Sequence, residues 1–206
     1  MTELFISAFI TLFVVIDPPG CAPIFAGLTS GASPGQARGM AARACLIAAI
    51  ILLVFALFGE RLLGALHIEL DSFRIAGGIM LFIVALEMVF EKRTQRREKR
   101  AEELRATPEV EDVSVFPLAI PMIAGPGSIA TVMLLMSRAE GTQQTLAILA
   151  ALVAVMVLCL LALLAAGPLM RLVGARVEAV ITRLLGVLLA ALAAQYVVDG
   201  VRAILG

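Results

Sequence analysis

The chain has 206 residues, of which 61% are hydrophobic and 16% charged, and its formal net charge is zero. The mean hydropathy is +1.04, and a soluble domain of this length could not bury so much apolar surface. Zero net charge and a single tyrosine argue against nucleic-acid binding, which needs a basic face and aromatic platforms. We therefore expect an all-α, multi-pass protein whose partner is the lipid bilayer.

Six segments are apolar enough to cross a bilayer, because a span needs about 20 mostly apolar residues. In chain order they are Leu4–Leu28, Arg38–Phe58, Asp71–Phe90, Val113–Ser137, Thr145–Met170 and Glu178–Val198. The N-terminus has neither a basic start nor a small-residue cleavage site, so the first segment is expected to be a retained span. The predicted organisation is a three-helix repeat over 1–90, a charged linker over 91–112 and a second three-helix repeat over 113–206.

The distribution of basic residues predicts the orientation. Twelve of the sixteen Lys and Arg residues fall on the side of the linker, and only Arg61, Arg74, Arg138 and Arg202 fall on the other. Since positive residues are retained in the cytoplasm, the linker is predicted to be cytoplasmic and both termini to lie outside.

Two of the predicted spans are interrupted in the same way. The first contains Asp17-Pro18-Pro19-Gly20, the fourth contains Gly125-Pro126-Gly127-Ser128, and the two prolines are 108 positions apart. The same offset relates Gly59 to Gly167 and Gly78 to Gly186. Because each half has three spans, the second half would enter the membrane from the opposite side. Inverted repeats with matched helix breaks are typical of secondary transporters.

The residues at the breaks predict a binding site between helices 1 and 4. Proline disfavours helical angles in the preceding residue, so the first helix should end near Ile16 and restart with Asp17 as N-cap. Both restarted helices would present N–H groups and a positive dipole end, which suit a carboxylate. Asp17 could serve only as a cap, or could face an ammonium group or a coupling cation.

A zwitterion would satisfy both features, with its carboxylate at the Pro126 break and its ammonium group at Asp17. The pocket around it is expected to be narrow and to be lined by Ala22, Pro23, Ile129, Ala130 and Thr131. The predicted substrate-binding residues are Asp17, Pro18, Gly20, Ala22, Pro23, Gly125, Pro126, Gly127, Ser128 and Thr131.

Several other polar residues leave alternatives open. Glu87 in the third span could carry a coupling proton, pair with Arg43, or extend to the interface. Tyr196 and Asp199 are interpreted as interfacial anchors. Cys21, Cys45 and Cys159 have no paired spacing and are expected to be reduced core residues, without a disulfide or a metal site.

The two breaks also carry a family resemblance. The segment Asp17-Pro18-Pro19-Gly20-Cys21-Ala22-Pro23-Ile24-Phe25 resembles the first signature of the MarC/SnatA family of prokaryotic inner-membrane proteins. The segment from Pro117 to Ile129 is similar to the second signature, and the resemblance covers essentially the whole chain. It implies transport of small neutral amino acids such as glycine and alanine, driven by an ion gradient. Cys21 stands where relatives are expected to have a polar residue, which leaves the choice of substrate open.

Three other classes of function remain to be weighed. A channel can also be built from broken helices, and a membrane scaffold or sensor would need no breaks. An enzyme is disfavoured because the sequence has no HExxH, GxSxG or paired-cysteine motif. We expect no bound cofactor, while H⁺ and Na⁺ remain alternative coupling ions. The preferred amino acid, the direction of flux and the oligomeric state are left open.

Overall fold

A computed structural model describes residues 2–90, 92 and 112–205, with the backbone alone for 168–178. The described residues are helical throughout, apart from short connections, which confirms the all-α prediction. The helices are α1 (Thr2–Ile16), α2 (Pro18–Leu28), α3 (Pro34–Ala65), α4 (Leu70–Val89), α5 (Ser114–Ile123), α6 (Pro126–Met136), α7 (Gly141–Leu164) and α8 (Ala166–Leu205). The predicted linker lies outside the described residues except at its positions 92 and 112.

The helices account for the predicted spans. Thr2–Leu28, α3, α4, α7 and the Ala179–Leu205 part of α8 are each long and apolar enough to cross a membrane. The pair α5–α6, bent by 53°, makes a sixth span if it is counted as one. The fifth span ends at Leu164 and not at Met170 as predicted. Proline at position 168 has no N–H group to donate to the carbonyl oxygen of Leu164, so a helix through both residues is disfavoured.

The outer surface and the core differ in the way expected of a membrane protein. Many large hydrophobic side chains are exposed on the outside of the helices, as expected of a surface in contact with lipid tails. Leu46, Ile50, Phe58, Leu146, Val153, Leu161, Leu184 and Val187 are among them. Small residues such as Ala8, Ala41, Ala44 and Ala48 are completely buried, and they let neighbouring backbones approach closely.

Helix α5 is unusual because its turns are wider than those of an α-helix. Pro117 and Pro121 have no N–H groups, and the residues before them, Phe116 and Ile120, are extended. Hydrogen bonds of the i→i−5 type replace the normal ladder, for example from the N–H of Ala124 to the carbonyl oxygen of Ala119 at 2.9 Å. The prolines therefore make the second half enter its break through an irregular segment, whereas α1 enters the first break as a regular helix.

The closest helix packing joins the two halves through α4 and α8, which run antiparallel. A methyl group placed on Gly78 would lie 2.9 Å from the carbonyl oxygen of Ala193 and 3.0 Å from the backbone N of Val197. A methyl group on Gly186 would lie 3.1 Å from the carbonyl oxygen of Ala85 and 3.1 Å from the Val89 side chain. These contacts are reciprocal under the 108-residue offset, because Ala85 corresponds to Ala193 and Val89 to Val197.

Other helix contacts also occur in matching pairs when α1–α4 are exchanged for α5–α8. The contact of α3 with α5 corresponds to the contact of α7 with α1. In the same way, α2–α7 corresponds to α6–α3, and α2–α8 corresponds to α6–α4. This pairing is the pattern that a two-fold relation between the halves would produce. Their inversion with respect to the bilayer remains a prediction.

The first testable prediction concerns the α4–α8 contact. Gly78→Ala should destabilise the protein by about 1–3 kcal/mol, the usual cost of overpacking a tight core, because two backbone atoms of α8 leave no room for a methyl group. Thermal unfolding in detergent, followed by circular dichroism because the chain has no Trp, should show a lower Tm. Gly64→Ala is the control, since a methyl group there meets nothing within 4 Å. An unchanged Tm for Gly78→Ala would contradict the packing described.

Candidate functional site

The first break has the helix boundaries that the sequence predicts. Helix α1 ends at Ile16, Asp17 is the N-cap, and Pro18 is the first residue of α2. Asp17 adopts a left-handed conformation with φ 59° and ψ 62°, which aspartate tolerates better than most residues. Its Oδ1 accepts a hydrogen bond of 3.1 Å from the N–H of Gly20. The carboxylate therefore ends one helix and begins the next.

Asp17 lies deep in the protein, where it is only 1% exposed. Its carboxylate is packed against the α-carbon of Gly20, where any side chain would collide with it. Next to it, the thiol of Cys21 donates to the carbonyl oxygen of Ile16 at 3.6 Å. A buried carboxylate at this depth is costly, and membrane proteins retain such groups mainly for function.

The second break is built without a carboxylate. Gly125 is the N-cap of α6 in an extended conformation, Pro126 is the first helical residue, and no side chain caps the helix. The α-carbon of Gly125 abuts the carbonyl oxygen of Pro121, so a methyl group would collide with it. Glycine is required here by the close approach of the α5 backbone.

The two restarted helices differ in the donors they present, which corrects one expectation. Helix α2 does not offer free N–H groups, because Pro18 and Pro19 have none and the N–H of Gly20 is bonded to Asp17. In α6 the first intrahelical bond described is from the N–H of Ile129 to the carbonyl oxygen of Gly125 at 3.0 Å. The N–H groups of Gly127 and Ser128 therefore lie at a helix start that no side chain caps.

The structure brings the two breaks together. A methyl group placed on Gly127 would lie 3.6 Å from Cγ1 of Val15, two residues before Asp17. The same position is 3.6 Å from Leu81 and 3.5 Å from Val84, both on α4. The two breaks, which are far apart in the sequence, thus approach each other, with α4 beside them.

The remaining predicted site residues lie on helices with different neighbours. Ala22 is buried and Pro23 partly exposed on α2, which packs against α7 and α8. Ser128 and Thr131 are buried on α6, which packs against α3 and α4. The hydroxyl of Thr131 donates to the carbonyl oxygen of Gly127 at 2.8 Å. Helices α2 and α6 therefore pack mainly against other helices, and the two breaks approach each other through Val15 and Gly127.

Glu87 lies on α4, partly buried, in the last turn and a half before Val89. Arg43, which the sequence offered as its partner, forms an ion pair of 3.0 Å with Asp112. This pair joins α3 to the residue that leads into α5, and it was not predicted from the sequence. No motif distinguishes one acidic residue of the charged linker from its neighbours.

A second missed pair lies at the other end of the molecule. Arg138, after α6, contacts Asp199 on α8 at 2.7 Å, and its guanidinium group lies 4.7 Å from the ring centroid of Tyr196. Tyr196 is only 2% exposed, so its interpretation as an interfacial anchor is wrong. The ring is buried between helices, and the arginine covers it.

The three cysteines, which are far apart in the sequence, come together in the core. All are buried free thiols, on α2, α3 and α7, and Cys159 lies close to Cys21 and Cys45. Within the described part of the chain, no group of three His, Cys, Asp or Glu residues has an arrangement that could hold a metal ion. The cluster fills the space between three helices next to the first break.

Comparison with known proteins identifies the family. The model of the MarC family of integral membrane proteins matches residues 2–205. The chain belongs to this family. The MarC match confirms the resemblance that the two break motifs suggested, and it covers both halves of the structure.

Relatives of this MarC protein occur in archaea and bacteria. A UPF0056 membrane protein of Methanocaldococcus jannaschii is 37% identical, over 97% of each chain. The UPF0056 membrane protein YvbG of Bacillus subtilis is 33% identical, over 98% of this chain and 96% of the relative. The UPF0056 inner membrane protein YhgN of Escherichia coli is 33% identical, over 98% of each chain. No solved structure matches.

The second prediction concerns the role of Asp17 as a cap. Asp17→Ala should lower the stability of this MarC protein by about 1–2 kcal/mol, since the cap is lost and alanine tolerates the left-handed conformation poorly. Asp17→Asn should cost less, because asparagine can cap a helix and adopt the same angles. Thermal unfolding by circular dichroism would rank the three proteins. Equal Tm values for the alanine and asparagine variants would contradict the capping role.

Proposed function

We propose that this protein is a secondary transporter of small neutral amino acids of the glycine and alanine type, working by alternating access. The solute would bind where the two broken helices meet. The observation that supports this most is the contact between the two breaks, in which Gly127 packs against Val15, two residues before the buried Asp17. A helix break can be built with glycine at the cap position, as the second break is, so a carboxyl group at the first break favours a role beyond capping.

The chemistry of the two breaks suits a zwitterion. Asp17 supplies a negative charge, and a carboxylate has acceptor positions for more than one hydrogen bond. Helix α6 supplies N–H groups at a start without a side-chain cap, and the helix dipole favours a negative group there. The ammonium group of an amino acid would face Asp17, and its carboxylate would face Gly127 and Ser128.

The burial of the site indicates how the solute would reach it. Asp17, Ser128 and Thr131 are all buried, so this conformation is closed around the breaks and access requires helices to move. The two halves pack closely through α4 and α8 and also contact each other through α3 and α7. On these surfaces one half could rotate against the other. H⁺ or Na⁺ would be the coupling ion, with Asp17 and Glu87 as the candidate carriers.

The membrane setting follows from the family and from the charges. The protein is an integral membrane protein, and the Escherichia coli relative is named as an inner membrane protein. We place the linker 91–112 in the cytoplasm and both termini outside, because the basic residues concentrate on the side of the linker. A prokaryotic inner membrane is the proposed location.

The third prediction is the direct test of transport. Purified protein in liposomes loaded with unlabelled glycine should accumulate labelled glycine by counterflow, and alanine should compete. Asp17→Asn should abolish this signal because the ammonium group loses its charged partner. Gly125→Ala should abolish it because the new methyl group collides with the α5 backbone at Pro121.

Two matched controls separate these effects from general damage. Glu60→Gln makes the same carboxylate-to-amide change at an exposed position of α3, and Gly64→Ala makes the same glycine change in open space. Both should retain counterflow. Normal counterflow by Asp17→Asn and Gly125→Ala would overturn the proposed site. Equilibration without accumulation or competition would favour a channel, and no flux at all from inserted protein would favour a scaffold or sensor.

A further inference from the structure

A cavity of about 760 Å³ lies at one end of the molecule, well away from the breaks. The connection between α2 and α3, the first turns of α3 and the residues just before α5 form its walls. Leu28, the last residue of α2, lines it, whereas Pro18 at the break begins the same helix. The 11 residues of α2 separate the two places by about 15 Å at the rise of an α-helix.

The lining of this cavity is polar for a protein of this composition. Gly31, Gly35 and Gly39 line it, and a methyl group on any of them would meet nothing within 4 Å. The charged groups in the lining are Arg43 and Asp112, whose side chains are 56% and 48% exposed. Among the described residues, the cavity is thus lined by one guanidinium group and one carboxylate, 3.0 Å apart and about half exposed.

The carboxylate of this pair is firmly ionised. The pKa of Asp112 is lowered from its ordinary value, first by Ser114, whose backbone N–H donates to Oδ1 at 2.9 Å, and also by the Arg43 guanidinium. A lowered pKa keeps the group charged near neutral pH and lets it become neutral only in strong acid. Both charges are therefore present under physiological conditions.

We infer that this cavity is a second binding site, a vestibule for small zwitterionic solutes, in which Arg43 binds the carboxylate and Asp112 the ammonium group. Half-exposed ion pairs contribute little free energy. Arg43 and Asp112 can therefore separate at little cost, and each can bind one charged group of the solute instead. A solute with a single charge would leave one member of the pair uncompensated, whereas a zwitterion replaces both partners. The identity of the solute rests on the proposed function, since an amino acid at the breaks must first enter from one side.

The test uses cysteine labelling, which does not depend on transport. Gly35→Cys places a thiol in the cavity without a clash, and the native cysteines are buried, so the wild type serves as the unlabelled reference. In nanodiscs, a membrane-impermeant maleimide should label Gly35→Cys. Glycine at ten times its Kd leaves about one site in eleven empty, so labelling should slow about tenfold. Propionate and ethylamine, each with only one of the two charges, should give little protection.

The pair is tested by adding Arg43→Gln or Asp112→Asn to Gly35→Cys. Either change should remove the protection by glycine, and Arg38→Gln, an exposed basic residue of the same helix outside the cavity lining, should keep it. Equal protection in all variants, or protection by propionate alone, would overturn the inference.

The outcome can be separated from that of the transport test. Protection of Gly35→Cys without glycine counterflow would support the vestibule and remove the transport proposal. Counterflow that stays sensitive to Asp17→Asn, with no protection of Gly35→Cys, would support the site at the breaks and remove the vestibule.

Discussion

The missing N–H groups of Pro18 and Pro126 are the constraint on which much of the structure depends. In a membrane every backbone group must be satisfied within the protein, so an interrupted helix is stable only where other helices surround it. Here Asp17 satisfies the N–H of Gly20 at the first break, and α4 packs against Gly127 at the second. Because other helices must surround the breaks, segments from both halves pack together in one core.

The halves are alike in their packing and different in their chemistry. The glycines Gly78 and Gly186 make reciprocal contacts across α4 and α8, as a duplicated unit facing its own copy would. The helices that lead into the breaks differ, however. Phe9 and Phe13 stack along a regular α1 with ring centroids 6.1 Å apart, and the corresponding positions in α5 are Pro117 and Pro121. The second break is consequently approached by an irregular chain that presses a carbonyl group against Gly125.

The sequence predicts the local features of this protein well, because proline and glycine act on their immediate neighbours. The end of α1 at Ile16, the cap at Asp17 and the start of α6 at Pro126 all follow from those residues. Features that depend on long-range packing were not predictable. Three such features are the proximity of the three cysteines, the burial of Tyr196 and the ion pair of Arg43 with Asp112. Each depends on which helices are neighbours, and no short motif encodes that. The prediction of free N–H groups at the start of α2 was wrong for a local reason, because the cap of that helix, Asp17, accepts its first N–H group.

The difference between the two caps bears directly on what the proposed site would hold. If both breaks had a carboxylate, the meeting point would attract cations. If both had a glycine, two helix starts would attract anions. With Asp17 on one side and an α6 start without a side-chain cap on the other, the proposed site would have a negative and a positive end. Such a site favours a solute with both charges a short distance apart, because each end is then compensated without a net charge entering the membrane core. The ion pair of Arg43 and Asp112 offers the same two charges in the vestibule, so a zwitterion would meet matching partners at both places.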